Sequence, residues 1–366
     1  MKNFNKMVNW DITRKCRLDC LHCLTNDFYK SQGDVVDMST EQVFDAMRML
    51  RDYGVERIHF LGGEPFERHD ILEIIEYGCK LGIKMSVNTN GILLDDERIS
   101  RIIKAGLAAI NFSLDGAKAE THDKIRGKGT YEKLIENVKL FIKHNNAWEK
   151  DVVVRIFTVL VNLNVDEIDQ IVELCCQLGV DCLIVGRLID VGNAKLNKNE
   201  LEVDTETIFA AAQSLLSKTV EHPELDIHIN FLKPKIVEYF NLKNNANVQI
   251  HYSACHSITT TAYIQSDGTV LPCACLLTDG NADLASDMLR DSKRITEYSI
   301  DGIWESASFN DMVATIRNRK IYDNYTPCNM CKFNKRACNP CPMVNLSKQS
   351  VSMDLCQVAE KALATL

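Results

Sequence analysis

The stretch Cys16-Arg17-Leu18-Asp19-Cys20-Leu21-His22-Cys23 places three thiols in a C-x3-C-x2-C spacing, directly after the short apolar run 8–12. Three thiolates on one tight loop can hold three corners of a cubic iron–sulfur cluster, which leaves the fourth iron open to another ligand. A structural zinc site needs four protein ligands, so zinc would require a Cys or His from elsewhere in the chain. The spacing favours the iron–sulfur interpretation over zinc and over three unrelated structural cysteines.

The composition is that of an ordinary soluble globular chain. Its 366 residues, 46% hydrophobic and 25% charged, are enough for a large barrel-like domain and a smaller one. The net charge of −8 gives no basic face for nucleic acid. No apolar run is as long as a membrane span, and residues 1–6 lack a signal-peptide core. We therefore expect a cytoplasmic protein that has neither a nucleic-acid nor a membrane partner.

The fifteen cysteines indicate metal binding, because the cytosol keeps thiols reduced and disfavours a disulfide framework. Three of them lie in the opening stretch, and eight more lie between Cys255 and Cys356. The remaining four fall in amphipathic patterns, where a thiol is expected to be a small buried apolar residue. These four are Cys79, Cys175, Cys176 and Cys182.

Short β-rich runs alternate with helical patterns from the N-terminus to residue 186. The predicted strands are 8–13, 57–61, 84–88, 109–114, 152–160 and 181–185. The predicted helices between them are 38–53, 71–81, 97–105, 131–144 and 166–178, and Ser39 with Gln42 forms a capping-box pattern before the first. Strand–helix units with right-handed crossovers give a parallel sheet. Six units predict an α/β fold, a partial TIM-like (β/α)6 barrel.

Three regions follow from this pattern. Residues 1–190 form the partial barrel, and residues 191–250 form a connecting α/β segment that completes or flanks it, with helices 206–221 and 233–240 around a strand at 225–231. Residues 251–366 form a small cysteine-rich α+β domain. It begins with a hairpin, 262–265 and 269–271, around an Asp-Gly turn and continues with a helix at 303–316.

Polar residues follow several predicted strands, at the edge where such barrels place their reactive groups. The cysteine loop follows the first strand, and Gly62, Gly63 and Glu64 follow the second. Glycines allow a ligand to approach the backbone closely, and a glutamate can accept hydrogen bonds from an ammonium group. A tight turn would explain the glycines equally well. Ser113, Asn162 and Arg187 end later strands.

Together these motifs resemble the radical S-adenosylmethionine superfamily over about residues 7–187. The resemblance implies that Cys16, Cys20 and Cys23 hold a [4Fe–4S] cluster whose open iron binds S-adenosylmethionine. One electron would then cleave S-adenosylmethionine and produce a 5′-deoxyadenosyl radical that removes a hydrogen atom from the substrate.

The same resemblance implies roles for the residues that follow the strands. Gly62, Gly63 and Glu64 would bind the methionine ammonium group. Contacts with the ribose or the carboxylate would come from Ser113 and Asn162, and a contact with the carboxylate from Arg187. His22 occupies a position where the family usually has an aromatic residue that packs near the adenine.

The C-terminal cysteines resemble the SPASM extension of this superfamily, which carries auxiliary iron–sulfur clusters. They are Cys255, Cys273, Cys275, Cys328, Cys331, Cys338, Cys341 and Cys356. Gly268 and Cys273 reproduce the family's Gly-x4-Cys element. Two zinc sites are the alternative interpretation of eight cysteines in this region.

The spacing of the third cysteine in the middle quartet departs from the family pattern by one residue. The family's wiring would assign one auxiliary cluster, expected as [4Fe–4S], to Cys328, Cys331, Cys338 and Cys356. A second cluster would receive Cys255, Cys273 and Cys341. Cys275 could complete that cluster, donate a hydrogen atom to a substrate radical, or do neither.

Auxiliary clusters imply oxidation of the substrate, most simply to form a cross-link or a thioether in a ribosomally made precursor peptide. Only fifteen residues precede Cys16, so either a separate leader-recognition protein or direct capture of the peptide by the barrel would be required, and an electron donor such as flavodoxin or ferredoxin would be a further partner. The alternatives are dehydrogenation or epimerisation of a small metabolite, and sulfatase-maturase-like formylglycine formation. Ala274, where those maturases usually carry an acidic residue, counts against the last. A zinc-dependent binding module would explain the C-terminal cysteines but not the N-terminal loop.

Overall fold

The computed structural model describes residues 6–26, 29, 35–149, 151–249, 261–274, 292–317, 328–333, 338 and 351–366. The described strands form one sheet. They are β1 (Met7–Asp11), β2 (Arg57–Leu61), β3 (Lys84–Thr89), β4 (Ala109–Ser113), β5 (Val153–Leu160), β6 (Cys182–Arg187), β7 (Asp226–Ile229), β8 (Thr261–Ile264) and β9 (Val270–Leu271). Their order across the sheet is β7-β6-β5-β4-β3-β2-β1-β8-β9, and all neighbours are parallel except β8 and β9.

Helices follow most of these strands, as the alternating pattern predicts. The longer ones are α1 (Thr40–Tyr53), α2 (Ile71–Lys80), α3 (Asp96–Ala105), α4 (Ala119–Arg126), α5 (Thr130–Ala147) and α6 (Ile168–Leu178). Two short helices, α7 (Asn193–Leu196) and α8 (Lys198–Leu201), precede α9 (Thr205–Glu221) and α10 (Pro234–Asn244). In the C-terminal part lie α11 (Ile300–Trp304), α12 (Ala307–Arg317) and α13 (Val351–Leu363).

The core lies between the helices and one face of the sheet. Every second residue of these strands points to the helices and is buried there; Trp10, Phe60 and Phe112 are fully buried examples. Side chains of the opposite parity point to the other face of the sheet. The Ser39 capping box before α1 is present: its hydroxyl accepts from Gln42 N, and the Gln42 side chain accepts from Ser39 N.

The sheet extends beyond the six predicted strands at both edges. At one edge β7 pairs with β6. At the other edge, β8 and β9 form the predicted hairpin, and β8 also pairs in parallel with β1, so the hairpin is part of the barrel sheet. Edge strands carry unpaired N–H and C=O groups, and pairing with a further strand satisfies them. The periodicity of each strand cannot show which edge a later strand will join.

Three helical predictions need correction. The single helix predicted at 303–316 is two helices, because Ser306 starts a new helix: its carbonyl accepts from Asn310 N at 3.1 Å, and its hydroxyl from Phe309 N at 3.4 Å. Helices α4 and α13 were not predicted from the sequence. None of the helices in the described ranges is long and apolar enough to cross a membrane.

Candidate active site

The backbone of Gly62 to Glu64 supports the cysteine loop. Gly63 N donates to Thr13 O at 2.8 Å, and Glu64 N donates to Lys15 O at 2.7 Å, which continues the pairing of β1 and β2 past the strand ends. A Cβ atom on Gly62 would lie 2.2 Å from Thr13 O, and one on Gly63 would lie 2.2 Å from Lys15 O. The two glycines therefore allow two backbone segments to lie side by side. Their predicted contact with the methionine ammonium group stays a prediction.

The thiols of Cys16, Cys20 and Cys23 converge on the loop after β1. The charges of Cys20 and Cys23 both act to raise the pKa of Cys16, so the three thiols interact electrostatically. Burial raises the pKa of the Cys20 thiol to about 11. Thiols with such pKa values keep their protons until a metal displaces them. Three convergent thiols fit a cubic cluster with one open iron.

Asp115, directly after β4, is a buried carboxylate behind this loop. His22 Nε2 lies 2.6 Å from its Oδ2, Arg126 Nε donates to the same oxygen, and Val159 N donates to Oδ1 at 2.7 Å. Burial alone would raise the pKa of Asp115, but the charges of Arg126 and His22 hold it well below its usual range. Asp115 therefore remains a carboxylate in the folded protein.

Arg126 connects this carboxylate to the cluster loop. Its Nη1 lies 4.0 Å from Cys20 Sγ, and Leu21 N donates to Ile125 O at 2.9 Å. The positive charge of Arg126 lowers the pKa of Cys20 and so favours its thiolate form, the form that binds metal. Arg126 was not predicted as a site residue, because it lies on α4, a helix that the sequence pattern does not indicate.

Two asparagines fix the other side of the loop. Asn193 Nδ2 donates to Cys20 O at 3.0 Å, and Asn193 N donates to Cys23 O at 3.0 Å. Asn197 Nδ2 donates to Leu21 O at 3.1 Å. These bonds satisfy carbonyl groups of an irregular segment and define its course. No sequence pattern points to these asparagines.

Glu64 is only 1% exposed and already has three hydrogen-bond donors. Phe66 N donates to it at 3.1 Å, Thr89 Oγ1 at 2.8 Å and Asn90 N at 2.7 Å. Burial raises the pKa of Glu64 to about 7 in spite of these bonds. The carboxylate joins the ends of β2 and β3, and its predicted bond to an ammonium group stays a prediction.

Ser113 and Asn162 lie where the sequence placed them, at strand ends. Ser113 is half-buried as the last residue of β4, and Asn162 is exposed after β5, its backbone N donating to Leu201 O at 2.9 Å. His22 points instead to the buried Asp115, and its side chain is 5% exposed. Contacts of these three residues with S-adenosylmethionine stay predictions.

Arg187 is the register partner of Leu160 on β5, which precedes Asn162 by two residues. It ends β6 and shares the parity of Leu183 and Val185, which face the helices. Desolvation lowers the pKa of Arg187 to about 10, and the charges of Asp354 and Glu202 act against this shift. The structure thus places Arg187 near the C-terminal helix α13, and its contact with the carboxylate of S-adenosylmethionine stays a prediction.

The face of the sheet opposite the helices is polar in its centre. We call the polar residues on this face of β1 to β5 the polar face; they are Asn9, His59, Ser86, Asn88, Asn111 and Arg155. His59 Nδ1 lies 2.7 Å from Ser86 Oγ, and Asn111 Nδ2 donates to Asn88 Oδ1 at 2.7 Å. Burial lowers the pKa of His59 to about 4, so its ring is neutral near pH 7.

Four C-terminal cysteines interact electrostatically, and their assignment to one auxiliary cluster stays a prediction. Burial raises the pKa of Cys356 to about 12, and the nearby Cys338, Cys328 and Cys331 raise it further. Cys356 lies on α13, and Cys331 N donates to Cys328 O at 3.2 Å in a tight turn. The displaced position of Cys338 in the sequence thus does not separate it from the other three. Four thiols can hold a complete cluster.

The other C-terminal cysteines are less well defined. Cys273 follows β9 and is 9% exposed. Cys255, Cys275 and Cys341 lie outside the described residues, so the second cluster and the role of Cys275 stay predictions. The cysteines in the described ranges form no disulfides.

Comparison with protein families gives two matches. The Radical SAM superfamily matches residues 10–175. The iron–sulfur cluster-binding domain SPASM matches residues 255–332. The two ranges do not overlap and together cover more than half of the chain. They correspond to the two groups of cysteines described above.

Curated relatives carry several different activities. The AdoMet-dependent heme synthase of Methanosarcina barkeri is 25% identical over 348 residues, which are 93% of this chain and 92% of that protein. The mycofactocin maturase MftC of Mycolicibacterium smegmatis is 29% identical over 172 residues, 47% of this chain and 42% of that protein. The Fe-coproporphyrin III synthase of Methanosarcina barkeri is 29% identical over 222 residues, 60% of this chain and 52% of that protein.

Solved structures share the fold. SuiB of Streptococcus suis, bound to its precursor peptide SuiA, matches with a TM-score of 0.71 and 19% identity over 96% of this chain and 74% of that one. The protein anSMEcpe with bound AdoMet matches with a TM-score of 0.64 and 16% identity over 97% of this chain and 99% of that one. At these identities the likeness concerns the fold alone.

Proposed function

We propose, because this chain belongs to the radical S-adenosylmethionine superfamily and carries a SPASM domain, that it is an oxidoreductase that modifies a ribosomally made peptide. The enzyme class and its cofactors, S-adenosylmethionine and [4Fe–4S] clusters, follow from the family. The substrate and the bond formed are the proposed part.

The observation that carries the proposal is the loop with Cys16, Cys20 and Cys23 at the carboxyl end of β1. Three convergent thiols would hold a [4Fe–4S] cluster, which, with S-adenosylmethionine bound, supplies a 5′-deoxyadenosyl radical. The protein's own residues fix the loop: Gly63 pairs with the segment before Cys16, and Arg126 lies beside Cys20. Such positioning is what a cofactor enzyme contributes to its chemistry.

The four cysteines near α13 support an oxidative outcome. Iron–sulfur clusters held there supply redox centres for a net oxidation of the substrate. The positive charge of Lys233, the residue before α10, acts to lower the pKa of both Cys328 and Cys356. It therefore favours the thiolate forms of these two cysteines. We propose that the substrate loses two hydrogen atoms overall, as in a cross-link or a thioether.

The match to the maturase MftC supports a peptide substrate, and it covers 47% of this chain. The proposed partners are therefore a precursor peptide, an electron donor such as flavodoxin or ferredoxin, and a separate recognition protein for the peptide. The proposed location is the cytoplasm, where the thiols of fifteen cysteines would stay reduced for metal binding.

A second candidate function is a step in the synthesis of heme or a related iron porphyrin. The near full-length match to an AdoMet-dependent heme synthase favours it, because that match includes the C-terminal region as well as the barrel. The Fe-coproporphyrin III synthase match points to the same substrate class over 60% of this chain. Both candidates use the same three-cysteine loop.

The proposed radical chemistry can be tested with one pair of variants. Protein reconstituted anaerobically with iron and sulfide should bind roughly eight or more irons, as at least two cubanes require, and form 5′-deoxyadenosine with dithionite. Cys20→Ala should abolish this product in liquid chromatography–mass spectrometry. Cys79→Ala, a half-buried cysteine on α2, is the matched control and should retain it. Normal product formation by Cys20→Ala would overturn the assigned loop.

The two substrate classes give different results in two assays. Coexpression with a short peptide encoded beside this chain should yield a peptide that has lost two hydrogen atoms, measured by mass spectrometry. A tetrapyrrole enzyme should instead shift the Soret band of added iron coproporphyrin III and convert it. Conversion of the porphyrin with an unmodified peptide would replace the first candidate by the second.

A further inference from the structure

Arg155 is a cation in the middle of the polar face. It is the third residue of β5, and its neighbours Val154 and Ile156 belong to the core on the helix side. Strand alternation therefore directs Arg155 to the opposite face. In the sheet register it lies between Asn111 of β4 and Cys182 of β6. The side chain is half-buried, so its guanidinium remains accessible from that face.

Most N–H donors of this guanidinium have no acceptor among the described residues. Within the described ranges, the one hydrogen-bond acceptor of Arg155 is Asn111 Oδ1, which is neutral and 3.4 Å away. A guanidinium presents five N–H donors in a fixed fork. No carboxylate in the described part of the chain pairs with it.

Other shielded arginines of this protein are treated differently. Arg68 has an ion pair with Asp70 at 2.7 Å and also donates to two backbone carbonyls. Arg126 has its ion pair with Asp115. Arg155, by contrast, has no carboxylate partner among the described residues.

The acidic groups on neighbouring strands are already engaged. Asp226, on β7, lies 2.7 Å from His228 Nε2, and Asp181 accepts from Val154 N at 2.7 Å. The charge of Arg155 acts on the face around it: it lowers the pKa of His59 on β2 and of Cys182 on β6.

The position of Arg155 relates it to the cysteine loop. Its register partner Asn111 lies two residues before Ser113, the end of β4 on the same face. At about 3.3 Å per residue, that places Arg155 roughly 7 Å below the carboxyl end of β4, on the same edge of the sheet as the cysteine loop, which follows β1 three strands away. A substrate entering from that edge would meet the guanidinium with its far end, while its reacting carbon stays at the rim.

We propose that Arg155 binds a carboxylate group of the substrate. This inference rests on the proposed function. Arginine and carboxylate match in planar, bidentate geometry. The Asn111 and Asn88 amides flank the site and orient the guanidinium rather than neutralise it. The enzyme thus selects carboxylate-bearing substrates, whether the group is an acidic side chain of a peptide or a propionate of a porphyrin.

A small fluorinated probe tests this site on the anaerobically reconstituted protein. Line broadening in ¹⁹F NMR should show that 4-fluorobenzoate binds, while the neutral isostere 4-fluorobenzamide binds at least tenfold more weakly. Arg155→Gln should weaken binding of 4-fluorobenzoate at least tenfold. Arg155→Lys, which keeps the charge but not the fork, should give an intermediate affinity. Arg51→Gln, on the outer face of α1, is the matched control and should bind as the unchanged protein does.

Two results would overturn the proposal: equal binding of benzoate and benzamide by the unchanged protein, or undiminished benzoate binding by a folded Arg155→Gln variant. The comparison of the two probes on unchanged protein remains decisive if that variant does not fold. Formation of 5′-deoxyadenosine is measured on the same preparation. Product without benzoate binding refutes the carboxylate site alone, whereas benzoate binding without product refutes the proposed function alone.

Competition identifies the source of the carboxylate. A short peptide amide that contains glutamate should displace 4-fluorobenzoate if peptides are the substrate, and its glutamine counterpart should not. Iron coproporphyrin III should displace the probe if porphyrins are the substrate, and its methyl ester should not. Displacement by the glutamine peptide or by the ester would contradict recognition of a carboxylate.

Discussion

Asp115 is the residue through which the cluster loop is tied to the sheet. It is fully buried at the end of β4 and takes bonds from His22 of the loop and from Arg126 of α4. Because both partners are also shielded, each of these bonds is strong when made and costly to leave unmade. The loop segment between Cys20 and Cys23 is joined to this carboxylate through His22.

Arg126→Gln should destabilise the folded protein strongly. Removing one partner of a buried ion pair costs about 3–5 kcal/mol, since the other charge is left unpaired. The Arg126 and Asp115 side chains are 10% and 0% exposed. Urea unfolding followed by circular dichroism measures the change. Arg51→Gln, whose ion pair is on the surface, should stay within about 0.5 kcal/mol of the unchanged protein; equal effects of both variants would refute the special role of Arg126.

Gly63→Ala should loosen the cysteine loop. The new methyl group would lie 2.2 Å from Lys15 O, a backbone atom, so the segment before Cys16 must shift. We expect fewer bound irons and slower formation of 5′-deoxyadenosine. Gly82→Asn is the control, because no atom lies within 4 Å of its Cβ position and asparagine tolerates a φ of +77°. Normal iron content in Gly63→Ala would show that the glycine is not needed for this packing.

Helix α13 connects the C-terminal cysteines to the barrel. Its Leu355 and Ala359 are fully buried in the main core, and its Glu360 pairs with Lys235 of α10. Cys356 lies on the same helix, so the docking of α13 brings this thiol to Cys328 and Cys338. The predicted auxiliary site would thus be assembled by the packing of a helix and not by one continuous loop.

Leu355→Ala should weaken the auxiliary site while the N-terminal loop stays intact. Loss of a fully buried leucine side chain costs about 2–5 kcal/mol, and the loss is confined to the contact of α13 with the core. We expect a loss of up to about four irons, one cubane, with retained cleavage of S-adenosylmethionine. Gln357→Ala, exposed on the same helix, should change neither quantity. Full iron content in Leu355→Ala would contradict assembly by docking.

At the scale of the whole molecule, the sequence predicts the repeated strand–helix order well, because helical and strand periodicities are local signals. The strands agree within two residues, and the three-cysteine loop follows β1 as expected. The pairing of β8 with β1 was not predicted, since edge pairing depends on contacts between distant segments. The same holds for Arg126 and Asn193, which reach the loop from 106 and 173 residues away.

The central claim is that Cys16, Cys20 and Cys23 hold a cluster with an iron open to S-adenosylmethionine. Electron paramagnetic resonance of the reduced, reconstituted protein tests it most directly. We predict that addition of S-adenosylmethionine changes the g values of one cluster signal, and that Cys16→Ala lacks both that signal and the change. A spectrum that S-adenosylmethionine leaves unaltered, in a protein with full iron content, would contradict the account.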